Sequence, residues 1–141
     1  MNFTSINQLN LYVSKMISIA LQNISQRLSE ELMNKIDIEY YVKYKPRVYK
    51  RTLSFLYSAT SSKVSVHGNT FTVSVYIDYN KLNYEEATGY DVVKLASAGY
   101  HGNFAIYRKG FFWKSFQEEY PEPVIKQMII EELKKLGLKI I

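Results

Sequence analysis

The sequence predicts an α+β domain, a small antiparallel β-sheet packed by long N-terminal and C-terminal α-helices. Three observations carry that expectation. Apolar residues recur at three- and four-residue steps over residues 6–36 and again over 122–136, the period of an amphipathic helix. Between them a run of alternating apolar and polar residues follows His67-Gly68-Asn69, the period and punctuation of a hairpin. With 141 residues, 47% of them hydrophobic and only three prolines, the chain can close a core as a single domain over residues 1–141.

The first helix is expected from Ile6 to Ile36, capped by Thr4 or Ser5. Its inward stripe is Ile6, Leu9, Val13, Ile17, Ala20, Ile24, Leu28 and Leu32, while Ser, Gln, Asn, Lys and Glu fill the opposite face. This stripe reads as core packing. Asp37 to Val42 alternates briefly. Pro46 then forces Lys45 out of the helical region, and Val48 to Ala59 reads as a short helix.

Lys63–Val66 and Thr70–Tyr79 flank the turn as hairpin arms. Phe71, Val73, Val75 and Ile77 share one face and Thr72, Ser74, Tyr76 and Asp78 the other, as in a sheet lying on a helix. Asn80 to Asp91 reads as an acidic loop, and Asp91 to Ala98 as a short helix ending at Gly99. Gly99 to Gly110 is rich in glycine and aromatics, and Phe111, Phe112, Trp113 and Phe116 make a dense aromatic group. Of these, Phe112 and Trp113 are expected in the core. Pro121 and Pro123 open a last helix over Glu122–Leu136, with Val124, Met128, Ile129, Leu133 and Leu136 inward. Gly137 stops it, and Leu138 to Ile141 is expected to add a terminal strand.

Composition narrows the function classes. Without cysteine there is no disulfide framework, thiol nucleophile or zinc ribbon. His67 and His101 lie far apart and in no metal-ligand spacing. No cationic head precedes an apolar core at the N-terminus, and no apolar run is long enough to span a bilayer. The pairs Glu85-Glu86 and Glu118-Glu119 are adjacent, so their carboxylates do not converge on one face. There is no nucleophile elbow, P-loop or dinucleotide fingerprint. The expectation is a protein that is not an enzyme, with no cofactor, metal, membrane or small-molecule substrate.

Tyr44 to Ser58, YKPRVYKRTLSFLYS, is the most distinctive stretch, with three tyrosines and four Lys/Arg side chains. No Asp or Glu occurs between Glu39 and Asp78, where Lys43, Lys45, Arg47, Lys50, Arg51 and Lys63 all stand. Such a one-sided field attracts an acidic partner, a protein surface or a phosphate backbone. Tyrosine and arginine favour interfaces because each joins apolar area to a polar tip. Two other readings remain. One is a nucleic-acid-binding module whose Lys and Arg hold phosphates while Tyr rings stack on bases. The other is a small metal-independent ribonuclease toxin in which His101, with Arg108, Tyr107 and Tyr100, polarises a phosphodiester.

The string Tyr44-x-Pro46-x-x-Tyr49-x-Arg51-Thr52-x-x-x-Leu56-x-Ser58 resembles a pattern in minor capsid and tail-completion proteins of tailed phages. These proteins join head to tail in phages and prophages of low-GC Gram-positive bacteria. The order of elements is also similar: a long first helix, a Pro-containing loop, a hairpin over 63–79, a Gly-His element at Gly99-Tyr100-His101-Gly102, an aromatic segment and a last helix. Two features depart from the pattern. Thr52-Leu53 stands where commoner members have Thr-Gly, and Tyr100 separates Gly99 from His101.

The resemblance implies a virion structural protein at the head–tail interface or upper tail, assembled in the host bacterial cytoplasm. It implies a homo-oligomeric ring, a hexamer or dodecamer, with other neck and tail proteins as partners and non-specific contact with DNA in the lumen. On this reading Tyr44, Pro46, Arg47, Tyr49, Lys50, Arg51 and Thr52 form one protein-interface face, and Glu85 and Glu86 belong to a complementary one.

Overall fold

The computed structural model describes residues 2–38, 55–82, 100–101, 104–105 and 111–141. Helix α1 runs from Ile6 to Ile36. Ser5 caps it, its hydroxyl accepting from the Gln8 N–H at 3.3 Å. The Gln8 Oε1 in turn accepts from the Thr4 N–H at 2.9 Å and from the Thr4 hydroxyl at 2.7 Å, a variant of the reciprocal cap. Asp37 and Ile38 continue the chain as a wider helical turn, so the brief alternation expected from Asp37 does not begin there.

Four short strands follow: β1 (Ala59–Ser61), β2 (Ser65–His67), β3 (Thr70–Thr72) and β4 (Val75–Ile77). They make one antiparallel ribbon in two segments, β1 with β4 and β2 with β3. Ser61 opposes Val75, while Ser65 opposes Thr72. Three residues, 62–64, therefore face two, 73–74, and this mismatch is a β-bulge. The Ser62 N–H donates to the Ser74 carbonyl at 2.8 Å, and the Ser74 N–H donates to the Ser62 hydroxyl at 2.9 Å, so the bulge is held on both strands.

The alternation over 71–77 survives: Phe71, Val73 and Val75 are half-buried and Ile77 is buried, while Thr72, Ser74 and Tyr76 are exposed. At the tip Gly68 has φ 60°, the left-handed backbone that two-residue hairpin turns require. The ribbon differs from the expected hairpin in its first arm, which begins at Ala59. Of the expected Val48–Ala59 helix, residues 48–54 lie outside the described residues, and among the rest Leu56–Ser58 forms a single 3₁₀ turn.

Strands β5 (Tyr100–His101) and β6 (Phe104–Ala105) pair as a second hairpin inside the glycine-rich segment. Helix α2 (Phe111–Glu119) turns the aromatic group into a helix, and α3 (Glu122–Lys135) follows. Helix α3 ends as the glycine requires. Gly137 has φ 92°, its N–H bonds the Lys134 carbonyl at 3.0 Å, and the Leu138 N–H bonds the Leu133 carbonyl at 3.0 Å, a Schellman closure. That closure turns the chain away and Ile140 and Ile141 are exposed, so the terminal strand expected over Leu138–Ile141 does not form. The expected 91–98 helix and most of the 80–91 loop lie outside the described residues. Within the loop, Tyr79–Lys81 forms a 3₁₀ turn.

The core lies along the second half of α1. Leu32 and Ile36 pack with Phe55, Ile77, Leu82 and Phe112, and Trp113 leans on this cluster, so both aromatics fall where expected. Phe55 and Phe112 meet edge to face, ring centres 5.5 Å apart, a geometry worth about 1 kcal/mol beyond burial. A second cluster joins Ile24 and Leu28 to Met128 of α3. The buried hydroxyls are satisfied: Ser25 donates to the Gln22 carbonyl at 2.9 Å and Ser58 to the Phe55 carbonyl at 2.6 Å.

Three expected core positions of the terminal helices are not core. Val124 is exposed, because α3 reaches α1 through Met128, a turn further on. Ile6 and Leu9 are exposed too, because the body covers α1 fully only from Ala20 onward.

Candidate interaction surfaces

The upstream end of the Tyr44–Ser58 segment and its proposed acidic counterpart lie outside the described residues: Tyr44, Pro46, Arg47, Tyr49, Lys50, Arg51, Thr52, Glu85 and Glu86. Its downstream end is structural. Leu56 leans on the core, and Ser58 is fully buried, its carbonyl accepting from the Asp78 N–H at 2.8 Å. The Leu-x-Ser part of the motif therefore anchors the segment to the ribbon. Of the residues considered for phosphodiester chemistry, Tyr100 and His101 lie on β5, while Tyr107 and Arg108 are outside the described residues. Among the described residues no three His, Asp or Glu side chains gather as a metal site, and no helix is long and apolar enough to cross a membrane.

Three surfaces stand out. The first is the free end of α1. Every residue from Thr4 to Leu11 is exposed, Ile6 at 75% and Leu11 at 73%. Successive helix positions turn by about 100°, so Leu11 lies roughly 140° round the axis from Ile6. A helix apolar on more than one side is built to be enclosed. Residues 1–29 carry only Lys15 and Arg27 and no acidic residue, the charge depletion seen at interface centres. Phe3 folds back onto Tyr12, ring centres 5.2 Å apart, and with the Ser5 cap it holds the helix end in shape.

The second is a hollow of about 610 Å³ on α3, lined by Ile125, Ile129 and Ile130 with Glu122 and Lys126 at its rim. The third is a groove of about 760 Å³ between α1 and β1. Ser18, Gln22, Gln26 and Ser29 line it from the helix, and Ala59 to Val64 from the ribbon. Gln22 ties the two walls together, its Nε2 donating to the Ser62 carbonyl at 3.4 Å.

Polar contacts tie α1 to α2 and α3 along its second half. Lys35 pairs with Glu119, and Asn23 donates to the Glu132 carboxylate at 2.9 Å. The Tyr120 ring packs on Phe116. Burial first, then the nearby Glu31 and Glu119 carboxylates, raise the Tyr120 pKa above its ordinary value, and a hydrogen bond to Glu31 adds to the effect. These contacts hold the helices together.

The sequence reading did not single out the free end of α1 or the edge of β1. The acid-free run over residues 1–29 was a signal for the first. Gly102-Asn103 between Tyr100-His101 and Phe104-Ala105 was the signal for the second hairpin. Compared with known proteins, residues 5–137 match a family model described as YomN, a name of the Bacillus phage and prophage type. No curated protein and no solved structure matches the chain.

Proposed function

The chain belongs to the YomN family and is phage-associated, and from that premise we propose that it is a structural virion protein joining the head to the tail or completing the tail. The observation that carries the reading is the capped free end of α1, apolar on two sides and almost without charge. A ring is closed by heterologous contacts, so each subunit needs two different complementary faces. The free end of α1 and the hollow on α3 are two such faces, one convex and one concave. The basic residues Arg47, Lys50 and Arg51, with Tyr44, Pro46, Tyr49 and Thr52, add a polar contact to a neighbour's acidic segment at Glu85 and Glu86. Basic side chains facing the lumen touch DNA without reading its sequence.

The test is electron microscopy of particles made by a phage with a nonsense mutation in this gene. The expected result is filled heads beside unattached tails, with the same defect when charge is reversed at Lys50 and Arg51. Normal infectious particles would overturn the proposal, and binding assays with RNA and DNA would then take precedence.

A further inference from the structure

The ribbon has a usable edge. The Asp78 N–H bonds the Ser58 carbonyl and the Ser62 N–H bonds the Ser74 carbonyl, so residues 58 and 60 point their main-chain groups toward β4, while the Ser62 carbonyl turns to Gln22 on α1. Ala59 and Ser61 therefore point theirs the other way, into the groove beside α1. Among the described residues nothing pairs with those N–H and C=O groups, and both residues are half-exposed. An edge of this kind is a template for one more strand unless something blocks it. Residues 59–62 contain no proline and no charge, and the bulge begins only beyond Ser61.

Charge states what kind of strand fits. Both walls come from acid-free segments, residues 1–29 and 40–77, and the one charged residue lining the groove is Lys63. On the helix wall Ser18, Gln26 and Ser29 present hydrogen-bonding side chains. We infer that this groove receives an extended, acid-bearing strand of a partner protein, which adds to β1 as a third strand. Ala59 and Ser61 supply the main-chain bonds, Gln26 and the serines read alternate side chains, and Lys63 meets a carboxylate. The inference goes beyond the virion role and stands without it.

The probe is a labelled synthetic nonapeptide alternating Thr or Val with Asp or Glu, titrated against the full chain by fluorescence anisotropy. Amide exchange at Ala59 and Ser61 is followed by NMR. The expected result is saturable binding that slows exchange at both amides. A peptide N-methylated on its bonding edge should bind roughly thirtyfold more weakly, the loss of two net main-chain hydrogen bonds. That control leaves the protein untouched, so it holds even where Ser61→Pro fails to fold. A folded Ser61→Pro variant should lose the binding as well.

Three outcomes of the peptide experiment overturn the inference. They are no binding, equal binding by a lysine-substituted peptide, or protection elsewhere than at Ala59 and Ser61. Self-association of the protein alone that Ser61→Pro abolishes would also overturn it, by placing a second copy in the groove.

Discussion

The Tyr120 phenol sits between the Phe116 ring and the Glu31 carboxylate, with Glu119 and Arg27 near enough to act on it electrostatically. Burial and the two carboxylates oppose its ionisation, so its pKa in the fold lies above the ordinary value of 10. In that window the folded chain holds a proton that the unfolded chain has lost. The stabilisation is therefore complete below pH about 10 and disappears as pH rises through the folded-state value. Urea unfolding at a series of alkaline pH values should show stability falling more steeply for the native chain than for Tyr120→Phe. Equal slopes would mean that the phenol ionises as freely as in the unfolded chain. Other single residues were legible only in part. Ser58 stood out through its motif, yet its role, closing a buried turn onto Phe55 and Asp78, depends on partners that no spacing rule names.

Among the elements, helix α1 was readable to its ends, since cap and periodicity are local properties. Helix α3 was nearly so, its Gly137 marking the stop. At φ 92° a side chain is strained even where space is open, and nothing lies near the position a Cβ would take. Gly137→Ala should therefore destabilise the protein by about 1–2 kcal/mol through backbone strain alone, measured by thermal unfolding. No loss would show that the Schellman closure is dispensable. The ribbon was half legible. Alternation over 71–77 and the run Lys63–Val66 located the two arms beside the turn. The first arm's start at Ala59 was missed, because Leu56, Tyr57 and Ala59 have no strand period and Ala59 read as the end of a short helix. Helix α2 escaped as well, since adjacent aromatics at 111–113 fit a helix or a strand equally.

Taken together, the molecule is a packed body from which one helix end extends. A 31-residue helix is about 46 Å long, whereas a compact chain of this size has a radius of gyration near 14 Å. The body therefore covers only part of it. Replacing Ile6 and Leu11 together by serine should change stability by less than about 0.5 kcal/mol, because neither is packed in the subunit. The same pair should abolish assembly, scored by complementation of the nonsense phage and by sedimentation of extracts. Full complementation would assign the assembly contact to another surface. Ile6 and Leu9 fall in the same rhythm of three- and four-residue steps as Leu28 and Leu32, so periodicity put all four in one stripe. Periodicity reports only which face of a helix is apolar, a matter of neighbours three and four residues away. How far along that face the core extends depends on Phe55, Ile77, Phe112 and Met128, brought in from distant parts of the chain. The edge at Ala59 and Ser61, unpaired among the described residues, is likewise set by which strand pairs on the other side. The chain's own pattern thus specified the α+β class, the caps and the turn, because each is decided within a few residues. Long-range packing selected the buried half of α1 and the surfaces left uncovered, because burial is a property of what the rest of the chain covers.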